Sequence, residues 1–76
     1  MLNKDAAKLK EELRELFREW QTKPELLTAL AARLKNFQQL RGTLFQYSIN
    51  EFIIVRAEDD CEILIYDDEI EKLWDN

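Results

Sequence analysis

The chain has 76 residues, 46% hydrophobic and 36% charged, which is too apolar for disorder and enough for one core but not for a deep cleft between lobes. Its net charge of −5 is unevenly spread: residues 1–50 carry nine basic against six acidic side chains, and residues 51–76 carry two against ten. It has no histidine, one cysteine, one glycine and one serine, which excludes a His-based general base or zinc site, an internal disulfide and a glycine-rich phosphate loop.

The first element reads as an amphipathic helix from about Asn3 or Lys4 to Trp20, with Asn3 as N-cap. Leu2, Ala6, Leu9, Leu13, Leu16 and Trp20 alternate spacings of four and three, the signature of one helical face. Glu11 with Arg14 and Glu15 with Arg18 stand at i,i+3 on the wet side. A second helix begins after Thr22, where Thr22-Lys23-Pro24-Glu25 fits a capping box with proline in the first turn. Its apolar face runs through Leu26, Leu27, Leu30, Leu34, Phe37 and Leu40 to a stop at Gly42. The competing reading carries the helix through Gly42, because Leu40, Leu44 and Tyr47 keep the same spacing. The two helices are expected to form an antiparallel hairpin.

Past Gly42 the period reads as two. Thr43 to Ile49, the β-branched run Phe52 to Ala57, and Cys61 to Tyr66 after a turn at Glu58-Asp59-Asp60 predict a three-stranded meander, its last two strands being the clearest. Asp68 to Trp74 reads as a short helix capped by Asp68, with Glu71 three residues on. The expected fold is therefore a single α+β domain over residues 1–76. An N-terminal antiparallel helical hairpin packs on a small, two- or three-stranded antiparallel β-sheet, and a short C-terminal helix follows. Both faces of that sheet would be apolar, which predicts that each is covered. The hairpin shields one; the other is covered either by the C-terminal helix folding across it, which completes a three-layer monomer, or by a dimer or partner interface, and the interface is favoured.

These features point to a non-enzymatic interaction or regulatory protein without cofactor or metal, binding a protein partner, either a second copy in a homodimer or a basic protein. The expected apolar contact residues are Phe52, Ile54, Leu64, Tyr66 and Trp74. The expected acidic contact surface is Glu58, Asp59, Asp60, Glu62, Asp67, Asp68, Glu69 and Glu71. An alternative reading is an acidic inhibitor that imitates phosphate spacing and blocks the basic groove of a nucleic-acid enzyme, in the manner of an antitoxin or a phage counter-defence protein. Direct nucleic-acid binding is not expected, because phosphate recognition needs a basic footprint; the basic positions Lys10, Arg14, Arg18, Lys23, Arg33, Lys35 and Arg41 are interleaved with glutamates. Apolar runs of at most four residues predict no membrane span, and the free thiol without an export signal predicts a cytoplasmic protein.

Overall fold

A computed structural model describes residues 2–19 and 22–75. Among these residues four α-helices follow one another: α1 (Leu2–Glu19), α2 (Lys23–Lys35), α3 (Leu44–Cys61) and α4 (Asp67–Trp74), with a 3₁₀ turn at Gln38–Leu40 between α2 and α3. The described residues contain no β-strand, so the fold is an all-helical bundle and the α+β expectation is overturned.

α1 forms for the reason its spacing gives: Ala6, Leu9, Leu13, Leu16 and Phe17 are buried, while Arg14 pairs with Glu11 and Arg18 with Glu15 on the outer side. Asn3 lies inside the helix instead of capping it, and Trp20 falls outside the described residues. α2 starts at the expected place, with Thr22 in extended conformation and proline in the first turn. The Thr22 hydroxyl donates to Glu25 Oε1 at 2.5 Å instead of accepting from the backbone. The helix stops at Lys35, earlier than its apolar stripe suggests; Phe37 and Leu40 reach the core from the 3₁₀ turn. Gly42 takes the left-handed conformation (φ 79°), but it ends that turn and not α2. The Thr43 hydroxyl then caps α3 by accepting from the Phe45 amide at 3.2 Å.

The expected strands at 43–49 and 52–57 are both parts of α3. Ile49, Ile53 and Ala57, four residues apart, face the core, and burying that face outweighs the weak strand preference of the Ile53-Ile54-Val55 run. The third expected strand, Cys61–Tyr66, is divided: Cys61 closes α3, Glu62 is its left-handed cap, and the rest forms a strap without regular secondary structure and with no ladder partner among the described residues. Ile63 and Ile65 point inward and Leu64 and Tyr66 outward, so the period-two pattern is real although there is no sheet. α4 begins at Asp67, one residue before the expected start. Its N-cap is Tyr66, whose amide donates to Glu69 Oε1 at 2.9 Å.

α1 and α2 double back on each other, Arg33 meeting Glu12 at 3.2 Å and Gln39 reaching Asp5 at 3.2 Å. α1 lies closest to α3 and α2 to α4. The α1–α3 pair runs in one direction, since Lys10 donates to Ser48 Oγ (2.9 Å) and the Cys61 thiol to the Phe17 carbonyl (3.1 Å). Because α4 packs chiefly on α2, a seam stays open between α3 and α4.

Glu62 ends α3 at φ 57°, a left-handed conformation in which a side chain is strained and glycine is not. Replacing Glu62 with glycine is expected to raise stability by up to about 1 kcal/mol, read as a higher urea midpoint at unchanged slope.

Candidate functional site

The expected acidic residues do not form one surface. Glu58, Asp59 and Asp60 occupy the last turns of α3, Glu62 the left-handed turn, and Asp67, Asp68, Glu69 and Glu71 lie on α4. The α4 group sits where a helix N-terminus favours negative charge, whereas the α3 group sits at a C-terminus, where the dipole opposes it. Arg56 partly offsets the α3 group, reaching Asp59 at 3.4 Å and Asp60 at 4.0 Å. Glu69 is structural: it caps Tyr66 and meets Lys23 at 2.9 Å, tying α4 to α2.

The Tyr66 amide, then the Lys23 ammonium, hold the Glu69 carboxyl below the ordinary glutamate range. A lowered folded-state pKa means that the native state favours the carboxylate. The stabilisation is therefore complete above the unfolded pKa and is lost as pH falls through the folded one. We expect the melting-temperature advantage of the native chain over Glu69→Gln to be present at neutral pH and to vanish at acid pH, with a side-chain NMR titration of Glu69 giving the midpoint.

The expected apolar residues are also dispersed. Phe52 lies on the α1 side of α3, with Lys10 Nζ at 5.8 Å and the Arg14 guanidinium at 5.5 Å from its ring centre. Ile54 lies on the α4 side. Leu64 and Tyr66 are exposed on the strap, and the Tyr66 ring has Lys23 Nζ at 5.3 Å. Trp74, expected on an outward surface, is 1% exposed, and its indole N–H donates to Asn50 Oδ1 at 2.7 Å. The short α4 therefore closes the core, through Ile70, Leu73 and Trp74, and the radius of gyration of 11.2 Å matches the ~11.4 Å of a compact domain this size. The sheet face that called for a companion does not exist.

Exposed apolar surface nonetheless remains, on residues the sequence reading placed in a strand or left aside. On the outer side of α3, Leu44 is 83%, Tyr47 74% and Val55 42% exposed; spacings of three, four and four through Glu51 put them on one stripe. This stripe borders the open seam. Tyr47, Asn50, Glu51 and Ile54 of α3 face Asp67 and Glu71 of α4 across a half-open furrow of roughly 730 Å³. One end is held by Gln46, whose side chain accepts from the Gly42 amide (2.7 Å) and donates to Glu71 Oε2 (3.0 Å). Glu51 was not among the expected contact residues; the helical register Leu44-Tyr47-Glu51-Ile54 is the signal that would have found it.

The other candidates carry less chemistry. Of the basic residues, Arg14, Arg18, Lys23, Arg33 and Arg41 each meet a carboxylate, of Glu11, Glu15, Glu69, Glu12 and Asp75 respectively, so no open basic edge forms from them. Cys61 is half-buried; burial, then the neighbouring Asp60 charge, push its thiol pKa up, away from a reactive thiolate. Among the described residues no group of three or more Cys, Asp or Glu is placed to hold a metal ion, and no helix is long and apolar enough to cross a membrane. No protein-family model matches the chain, and neither the curated proteins nor the solved structures contain a match.

Proposed function

We propose that the protein is a non-enzymatic interaction module that engages a protein partner through the outer face of α3 and the adjoining α3–α4 seam. One observation carries this reading: Leu44 and Tyr47 stand almost fully in solvent on a chain whose own core is already closed. Large apolar side chains aligned on one helix face mark contact sites more often than isolated ones do. Tyrosine is also among the residues that anchor interfaces.

The test compares the native chain with a Leu44→Ser/Tyr47→Ser variant. Both positions are exposed, so the variant should keep the native melting curve. It should lose the partner recovered by affinity capture from the native host, or lose concentration-dependent association in sedimentation if the partner is a second copy. Retention of both sinks the reading.

A second reading, an acidic inhibitor of a basic nucleic-acid-handling protein, is supported by Glu58, Asp59 and Asp60 standing at the helix end that electrostatics disfavours, where Arg56 offsets only part of their charge. An inhibitor of that kind tolerates the Leu44→Ser/Tyr47→Ser change and loses its target when Asp59, Asp60, Asp67 and Asp68 become Asn.

A further inference from the structure

We infer that the α3–α4 furrow takes a basic amphipathic helix, one that lays an apolar face on Tyr47 and Ile54 and sets Lys or Arg side chains against carboxylates on both walls. This rests on the interaction-module reading and specifies its partner. Charge complementarity is the first ground. Glu51 rises from α3, Asp67 and Glu71 from α4, and no basic side chain of the described residues lines the furrow. A ligand lying along it therefore meets negative charge on either side. The next groove around α3 shares Glu51 but is otherwise basic, with Lys10, Arg14 and Arg56 beside Phe52 and Val55; only in the α3–α4 seam does Glu51 face further carboxylates, Asp67 and Glu71, with no basic side chain between them.

The second ground is backbone accounting. The furrow is walled chiefly by the sides of two helices, whose interior amides and carbonyls bond within them; the Gly42 amide at its end is held by Gln46, and only the first turn of α4, at Asp67, leaves amides outside the helix ladder. An extended peptide would find no strand edge to pair with, whereas a helix satisfies its own backbone and presents only side chains. The apolar floor selects amphipathic over merely charged. Tyr47 is largely exposed, an aromatic ring stabilises a cation placed over its face, and half-buried Ile54 offers apolar contact.

The experiment titrates the isotope-labelled full chain with three synthetic peptides of about two heptads: an amphipathic Leu/Lys helix, the same composition scrambled to destroy the apolar face, and a Leu/Gln helix of the same pattern. The amphipathic basic peptide should shift amides within 46–54 and 67–71 and bind about tenfold or more tighter than the other two. Added salt should weaken it. Neutralising the rim (Glu51→Gln, Asp67→Asn, Glu71→Gln) should lower its affinity by about tenfold or more, and Tyr47→Ser should do so independently.

Equal binding of the scrambled peptide would reduce the effect to bulk electrostatics and overturn the inference. Preference for the Leu/Gln helix in the same furrow would overturn the basic partner while leaving the interaction-module reading intact. Shifts at these residues that grow with protein concentration alone would assign the furrow to a second copy instead. Binding of no peptide would also overturn it, leaving the captured partner to judge the broader reading.

Discussion

Replacing Trp74 with alanine is expected to destabilise the protein by about 3–5 kcal/mol, the range for removing a large aromatic from a packed core. At roughly 0.05–0.15 kcal/mol per residue, a chain of 76 residues holds about 4–11 kcal/mol in all, so the variant should lose a large share of the total. The effect has two separable sources. One is volume, because Trp74 is 1% exposed; the other is the indole N–H bond to Asn50. Asn50→Leu keeps the indole but strands its donor, at about 1–3 kcal/mol. Combined with Trp74→Phe, it removes both partners, so the double variant should lose less than the sum of the singles. Urea unfolding followed by circular dichroism compares the native chain with Trp74→Ala, Asn50→Leu, Trp74→Phe and the double variant. An indole on an outward surface would behave otherwise, with Trp74→Ala changing stability by no more than about 0.5 kcal/mol.

Trp74 also shows where the sequence is informative and where it misleads. α1 was legible because its apolar residues fall on one side only: Leu9, Leu13 and Leu16 are all buried, and the residues between them are mostly charged. The start of α2 was legible because proline narrows the choices. The core side of α4 was legible as Ile70, Leu73 and Trp74, and the less favoured expectation, that this short helix covers the face the hairpin leaves open, is nearer to the structure than the favoured companion chain.

α3 was legible only at its start, where the competing reading placed Leu44 and Tyr47 on a helix, though one continuous with α2; the rest was not, for a physical reason. Its inward residues Ile49, Ile53 and Ala57 are joined by Phe45, Phe52 and Ile54 on the flanks and by Leu44, Tyr47 and Val55 outside. Apolar residues on every side leave no 3.6-residue period to read, and a β-branched run then suggests a strand. The same outer residues that hid the helix form the candidate contact stripe. A helix with apolar residues on its core side and its outer side looks unpatterned, so the strand expectation and the proposed contact stripe have one cause. The strap after Glu62 taught the converse: alternation in Ile63, Leu64, Ile65 and Tyr66 reports one buried side, and a helix layer supplies that side as well as a sheet does.

Val55 separates the two architectures by experiment. It lies in the interior of α3 and is 42% exposed, so substitutions there probe the backbone more than the core. Val55→Pro removes the amide bond to the carbonyl four residues back and drives the ring into that turn, which costs about 3 kcal/mol or more in a helix interior. Val55→Ala gives up some side-chain contact but replaces a β-branched residue with the strongest helix former, and should leave stability within about 0.5 kcal/mol of the native value. A strand predicts another pattern: there Val→Ala is the unfavourable change, by up to about 1 kcal/mol, and proline is tolerated at an edge. Helical content at 222 nm and the urea midpoint of the two variants, measured beside Trp74→Ala, should place Val55→Pro among the severe variants and Val55→Ala with the native chain. Unfolding the bundle from residue 55 would also remove the outer stripe, so Val55→Pro should lose partner binding together with its helicity, whereas Tyr47→Ser loses binding alone.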